Sequence, residues 1–410
     1  MSLLSVEEAL ERVLSQCAPR STVCLPLEQA VSYALAQDAR AQVNLPAFDN
    51  SAVDGYAVRV ADAASASEQN PVVLPVLLTQ AAGSAPGMLP VGGCARVLTG
   101  GPVPQGADAV VMQEDTARQP DGSVAILEAP VSGEHIRLAC TDIRVGEVVL
   151  AAGTCIGPAE LAALAAAGCS HVDVVRKPVV AVITTGDEIV DLSTSLPLAP
   201  GAIYNSNAPL LSALLASIEV PLLKRYHLPD DFDATVLLFR QLTEAGTEAV
   251  IIAGGVSVGD RDFVKPAIQA IGSLDLWRVA LKPGKPLAFG SAANTLFFGL
   301  PGNPASVMVT FELFVRPALW KLSGRNRLHR PVISGILQDA ISHDLGRREY
   351  VRATLRSNNG QCQVTTTGAQ GSGRLRSLIG ANALVIIPED CPGYSPGDTV
   401  QAMILNGDSE

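Results

Sequence analysis

The spacing of hydrophobic positions changes several times along this chain. Ser5-Val6-Glu7-Glu8 has the form of a helix-capping box, and Val6, Leu10, Val13 and Leu14 then fall on one helical face. Residues 21–43 read as strand, short helix and strand. From about Leu45 to Leu150 the pattern breaks into short apolar runs divided by Gly and Pro, such as Val72-Val73-Leu74, Ala109-Val110-Val111-Met112 and Val124-Ala125-Ile126-Leu127. That texture predicts a small β domain inserted between helical parts. A helix over Pro158–Ala167 follows, with Pro158 in its first turn and Gly168 at its end.

Residues 178–324 have another rhythm. Val179-Val180-Ala181-Val182-Ile183 is a continuous β-branched run ending in Thr184-Thr185-Gly186-Asp187-Glu188. Asn207 is placed to cap a helix through Leu215, and a strand then leads to His227-Leu228-Pro229-Asp230-Asp231. Next come a helix (Ala234–Ala245), the strand Ala249–Ala253, another helix, a strand around Leu276–Leu281 and a long helix over Pro304–Leu322. Buried strands alternating with helices predict a parallel, doubly wound sheet covered on both faces. The tail, 331–410, returns to short alternating strands with turns at Asn358-Asn359-Gly360 and Pro396-Gly397-Asp398, which predicts a small β barrel.

Composition narrows the class. With 48% hydrophobic and 17% charged residues, the 410-residue chain is globular and long enough for several domains. A net charge of −11 argues against broad binding to nucleic acid or to an anionic membrane. Three of the six lysines (Lys265, Lys282 and Lys285) nevertheless crowd into one short stretch, which hints at an anion site inside an acidic protein. The eight cysteines form no C-x-x-C pair and the five histidines no metal-ligand pair, so reduced thiols in a cytoplasmic protein are expected. No signal peptide and no membrane-length apolar run are evident.

In an open α/β sheet, ligands bind outside the carboxyl ends of the strands. The loops Thr184–Glu188 and Gly254-Gly255-Val256-Ser257-Val258-Gly259-Asp260-Arg261-Asp262 fall at such ends. Their glycines would let backbone N–H groups approach a phosphate, although ordinary turns use the same residues. Neither loop matches a P-loop or a dinucleotide fingerprint. Asp187, Glu188, Asp230, Asp260 and Asp262 can converge from strand ends, and converging carboxylates suit magnesium, whereas a single Asp there would be an ordinary helix cap. Lys282-Pro283-Gly284-Lys285-Pro286 reads as a rigid cationic turn, for an anion or for solvent. Gly299-Leu300-Pro301-Gly302-Asn303-Pro304 then opens a helix N-terminus, a ready anion site.

Six segments occur together and in order: Pro46-Ala47-Phe48-Asp49-Asn50-Ser51-Ala52-Val53-Asp54-Gly55-Tyr56-Ala57, Leu98-Thr99-Gly100-Gly101-Pro102-Val103-Pro104, Thr185-Gly186-Asp187-Glu188, the Gly254 loop, the Lys282 turn and Leu300-Pro301-Gly302-Asn303-Pro304. Together they resemble the MoeA or gephyrin E-domain family, the molybdopterin molybdenumtransferases. The resemblance implies an α/β multidomain protein with four parts. These are a molybdopterin-binding α/β domain (1–20 and 177–326), a linking and dimerisation domain (21–44 and 146–176), an inserted β domain (45–145) and a C-terminal β barrel (327–410). It further implies magnesium-dependent cleavage of molybdopterin-AMP, release of AMP and capture of molybdate, the last step of molybdenum cofactor biosynthesis.

Roles follow position by position from the same resemblance. Asp187, Glu188, Asp230 and Asp262 match an acidic cluster around magnesium and the pyrophosphate. Lys282, Ser306, Arg352 and Ser372 match the molybdate end, and Asp54 matches an aspartate supplied across a homodimer with shared active sites. Asp54, Asp187, Glu188, Asp230, Asp262 and Lys282 are the expected catalytic set. Thr99, Gly254, Gly255, Ser257, Arg278, Lys285, Pro301 and Pro304 complete the expected substrate contacts; Arg278 stands where some members carry lysine. Read without the family, Asp49 and Asp54 could equally be turn residues around Gly55. The adenylyltransferase that makes molybdopterin-AMP and apo molybdoenzymes are the expected partners. Two rival readings, that adenylyltransferase itself and a receptor-tail scaffold, are disfavoured by the extra domains and by the want of a long linker.

Overall fold

The computed structural model describes residues 3–194, 196–256 and 262–405. Its largest layer is a six-stranded sheet ordered Leu222–Leu228, Val180–Thr185, Ala249–Ala253, Thr295–Leu300, Ala288–Ala292 and Ser273–Trp277. The first four strands are parallel. The last two join through antiparallel pairings: Ala288–Ala292 folds straight back onto Thr295–Leu300 through a two-residue turn, and Ser273–Trp277, antiparallel to it, points again with the first four. The doubly wound sheet expected from the sequence is thus a parallel core with an antiparallel edge.

Alternate residues of the central strands feed two cores. Val180, Val182, Ala249, Ile251 and Phe298 pack against the N-terminal helix (Val6–Ser15), the helix Asn207–Ser217 and the segment from Pro304 to Leu322. Ala181, Ile183, Val250, Ile252 and Phe297 pack against Phe232–Glu244 and Val264–Ile271. Strands buried on both faces read as continuous apolar runs, and this explains why Val180–Ile183 shows no alternation.

Two helix readings need correction. Asn207 does not cap its helix: Asn205 Oδ1 accepts the Ala208 N–H at 3.0 Å, and Asn207 is the first helical residue. The Pro304–Leu322 segment is helical throughout but carries a π turn at Phe311–Val315 between two α segments. Buried Glu312, in that turn, accepts from Arg316 and Arg330 at 2.7 and 2.9 Å. The expected strand around Leu276–Leu281 divides as well. Ser273–Trp277 stays in the sheet, whereas Leu281–Lys282 pairs with Arg348–Asn358 of the C-terminal region.

That C-terminal region closes on itself. Strands Arg348–Asn358, Gln361–Thr366, Val332–Leu337, Thr399–Ile404 and Ala383–Ile387 form a five-stranded barrel, the last pairing back onto the first. Residues 50–137 form short sheets around Tyr56, Val58, Val97 and Val110. A linking layer built on Thr22–Pro26, His171–Val175 and Pro158–Ala166 lies between these sheets and the α/β layer.

The chain passes between the linking and α/β layers near Arg20 and again near Arg176, and one carboxylate pins both crossings. Glu248 accepts two bonds from Arg176 at 2.7 and 2.9 Å, one from the Val179 N–H, and pairs with Arg20 at 3.0 Å.

Candidate functional site

The sheet has its topological switch at Val180–Thr185, from which the chain leaves for Leu222–Leu228 on one side while Ala249–Ala253 lies on the other. A cleft of about 500 Å³ opens at the carboxyl ends of these strands. Its floor is made by Thr185 and the Gly254-Gly255 turn. Both glycines have left-handed backbones, and a Cβ on Gly254 would lie 2.7 Å from Thr185 Oγ1. Pro301, Gly302, Asn303 and Pro304 form one wall and Tyr204–Asn207 another. The second wall is fixed by Asn205, whose Nδ2 donates to Thr184 Oγ1 at 2.8 Å.

Glu188, Asp230 and Asp262 all line this cleft. Asp187 does not. It is exposed and accepts the Asp230 N–H at 3.1 Å, tying two strand ends together. Asp231 is a true N-cap, accepting from Ala234 at 2.7 Å, so the Asp230-Asp231 pair splits between cleft and helix. Among the described residues no three carboxylates, histidines or cysteines close into a cage for a metal ion. Lys265, the second residue of the helix Val264–Ile271, lies within electrostatic reach of Asp262 and Arg278. Burial holds its ammonium below the usual lysine range, with Asp262 opposing and Arg278 assisting. Arg278 has a left-handed backbone, φ 77°, and is half-buried beside the cleft rather than lining it.

The Lys282–Pro286 turn leads from this cleft to a second crevice. Pro286 lines the first, and Lys282 lines a crevice of about 380 Å³ at the barrel, with Glu349, Gln370 and Gly371. Lys282 Nζ lies 3.1 Å from Glu349 and 3.6 Å from Asp344. Behind it Arg352 is fully buried and donates to Gln370 O at 2.7 Å and Ser377 Oγ at 3.1 Å. Its Nη1 meets no protein acceptor, and burial holds the guanidinium below its ordinary range, with Glu349 opposing. Ser372 accepts from Asn303 Nδ2 at 3.0 Å, a direct bond from the barrel loop to the wall of the first cleft.

Other expected residues are spread more widely. Lys285 is exposed and lines neither space. Ser306 is buried in the first turn after Pro304 and likewise lines neither. Asp54 and Thr99 find each other in the inserted sheets: the Asp54 carboxylate accepts the Thr99 N–H at 2.7 Å and its hydroxyl at 2.8 Å. The Thr99 N–H and hydroxyl hold that carboxyl below its usual range, assisted by Arg96. Within this chain the pair takes no part in the cleft. Ser257, with Val258, Gly259, Asp260 and Arg261, lies outside the described residues.

The sequence places Thr185 in a ligand loop without assigning it a role, and it does not single out Asn205 or Asn207 as cleft residues. The polar run Asn205-Ser206-Asn207 at a helix start was the available signal, and it reads equally as capping. Glu349 stands three residues before Arg352, and the sequence assigns it no role of its own. As for the thiols, all eight cysteines are free, and burial pushes Cys17 up to about 11 and Cys94 to about 12, so these two are inert. No helix among the described residues is long and apolar enough to cross a membrane.

Three family models match nearly end to end: "MoeA N-terminal region (domain I and II)" over residues 4–168, "Probable molybdopterin binding domain" over 181–321 and "MoeA C-terminal region (domain IV)" over 334–405. The molybdopterin molybdenumtransferase of Haemophilus influenzae is 34% identical, covering 97% of this chain and 98% of that one. Molybdopterin molybdenumtransferase 2 of Mycobacterium tuberculosis is 36% identical, with the same coverage of each chain. The crystal structure of the molybdopterin biosynthesis moeA protein from Pyrococcus horikoshii OT3 superposes with a TM-score of 0.84 at 32% identity, covering 98% of this chain and 100% of that one. The chain belongs to the MoeA family and is an enzyme of the transferase class.

Proposed function

We propose that this enzyme acts late in molybdenum cofactor biosynthesis, taking molybdopterin-AMP and molybdate, cleaving the anhydride, releasing AMP and leaving molybdenum on the dithiolene. The observation that carries this reading is the meeting of two unlike spaces. An acidic, glycine-floored cleft adjoins a crevice lined by half-buried Lys282 and backed by buried Arg352, joined by the Lys282–Pro286 turn and the Asn303–Ser372 bond. A substrate with a phosphoanhydride at one end and an oxyanion acceptor at the other needs such a pair.

Magnesium fits the first space as a substrate-completed ion. Glu188, Asp230 and Asp262 offer hard oxygen donors on one cleft, with no closed cage, and magnesium is commonly held by one or two carboxylates plus phosphate oxygens and water. When bound there it would polarise the anhydride and neutralise charge on the leaving AMP. The protein's own contributions are distinct. Gly254 and Gly255 make a left-handed turn in which a Cβ would strike Thr185 or Val264, and Asp187 fixes Asp230 in place. Lys282 and Arg352 supply charge-assisted donors to molybdate, the dianionic substrate. In the proposed homodimer, Asp54 of the partner subunit reaches the cleft, which accounts for its distance from the cleft of its own chain.

The test is incubation of the purified enzyme with molybdopterin-AMP, magnesium and molybdate, following AMP and the reconstitution of an apo molybdoenzyme. Release of AMP coupled to reconstitution supports the reading. ATP consumption with accumulation of molybdopterin-AMP would replace it with the adenylyltransferase activity.

A further inference from the structure

Two residues that line the cleft each carry a buried polar atom that the protein leaves without a partner, one an amide oxygen and one a hydroxyl. Asn207 is 9% exposed, and its Nδ2 donates to Gly302 O at 2.7 Å, which turns Oδ1 away from that bond. No protein donor meets Oδ1. Thr185 Oγ1 is also buried and also has no partner. Both residues line the same cleft. Buried polar atoms are nearly always satisfied, so two orphans in one pocket need an explanation.

The chemistry of the missing partner follows from the atoms. An amide oxygen can only accept, so its partner must bring a proton. Phosphate oxygens at neutral pH have none to give, which removes the anhydride as the partner of Asn207 Oδ1; the Thr185 hydroxyl can accept or donate and takes the role that its neighbour sets. Two glycines, Gly254 and Gly302, lie between these two residues. A Cβ on Gly254 would crowd Thr185 Oγ1 at 2.7 Å, and one on Gly302 would come within 3.9 Å of Gly254 Cα, so Asn207, Gly302, Gly254 and Thr185 form one continuous strip without side-chain bulk at its centre. Pro301 and Pro304 flank it with apolar surface. A planar ring carrying N–H groups on one edge matches this strip.

We propose that Asn207 Oδ1 and Thr185 Oγ1 read the exocyclic amino edge of a heterocycle in the substrate. The proposal rests on the reading of this cleft as the site of an adenylylated pterin, whose two rings both carry such an edge. The experiment separates them. Equilibrium binding to the full chain compares AMP with purine riboside 5′-monophosphate, which lacks the 6-amino group, and 2-amino-4-oxopteridine with 4-oxopteridine. The wild-type chain should prefer the amino-bearing member of one pair by about tenfold or more, and that pair identifies the ring. Thr185→Val, which keeps the shape and removes the hydroxyl, should shrink the preference to about threefold or less, as should Asn207→Ser. Thr185→Ser, which restores the hydroxyl, should recover it. No preference in either pair, no binding of any probe, or a preference unchanged in both variants overturns the proposal. If Asn207→Ser does not fold, the two Thr185 variants decide alone. Failure of the proposed reaction would show separately, as wild-type enzyme that releases no AMP from the intact substrate.

Discussion

The cleft and the barrel crevice share a border yet carry their charges differently. In the cleft Glu188 is exposed and Asp230 and Asp262 half-exposed. In the crevice Arg352 and Glu349 are buried, and Lys282 is held between Glu349 and Asp344. Solvated charges can be removed with little cost to the fold, whereas a buried ionic network is part of the fold. The comparison teaches that similar substitutions should report chemistry on one side of the border and chemistry mixed with stability on the other.

The largest expected effect is on the cleft side. Asp262→Asn should leave thermal unfolding close to wild type and lower AMP release by roughly a hundredfold or more, since loss of one preorganised charge at a reacting group has that scale. Near wild-type turnover in this variant, or turnover that survives full chelation of divalent ions, would remove the magnesium reading.

Across the border, Lys282→Ala should weaken use of molybdate by about tenfold to 150-fold while leaving the binding of molybdopterin-AMP nearly intact. Arg352→Ala should do the same and in addition destabilise the barrel, because Gln370 O and Ser377 lose their donor. Equal loss of nucleotide-substrate binding in both, with molybdate dependence unchanged, would place the anion elsewhere.

Asp54 sharpens the comparison at a third point. Asp54→Asn and Asp262→Asn homodimers should each be nearly inactive, and co-refolding them should restore about a quarter of wild-type activity through mixed dimers with one intact site. Verified mixed dimers that stay as inactive as their parents would confine Asp54 to its own chain.

Glu248 gives the purest case of a buried charge far from any chemistry. Burial raises its carboxyl, but Arg176, the Val179 N–H and Arg20 outweigh that effect and hold it below the usual carboxylate range. Its folded pKa is depressed, so the stabilisation is complete above the unfolded value of about 4.3 and is lost as pH falls through the lower folded value. Glu248→Gln should therefore cost about 2–4 kcal/mol in urea unfolding at neutral pH, with a gap that narrows below pH of about 4. A gap independent of pH would contradict the assignment. Smallest of all, Thr99→Val should change AMP release only severalfold, because the Thr99 N–H still holds Asp54.

The parts of this molecule that could be read from sequence are those governed by local pattern. Val180–Thr185 and Ala249–Ala253 announce buried parallel strands by their continuous apolar runs, and Ser5–Glu8 announces a helix start that the structure caps through Ser5 and Glu8. The antiparallel edge was not legible, since Ala288–Ala292 and Thr295–Leu300 are as apolar as parallel strands and only the short turn between them sets their direction. In the site, motif order brought Glu188, Asp230 and Asp262 to one cleft, but it could not show Asp187 turned to a backbone N–H. Nor could it find Asn207 or Glu349. Their importance comes from burial and from partners distant in sequence, Gly302 for one and Lys282 for the other.

The central claim is that one substrate spans the border between acidic cleft and cationic crevice. Its most direct test is a single-turnover reaction of the wild-type enzyme with molybdopterin-AMP and magnesium, run with and without molybdate, measuring AMP release and molybdenum bound to the pterin in the same sample. The account predicts that molybdate and magnesium together give one AMP and one inserted molybdenum per substrate consumed, and that Lys282→Ala shifts the molybdate requirement upward. Insertion of molybdenum with the adenylyl group still attached, or AMP release that never leads to insertion, would contradict it.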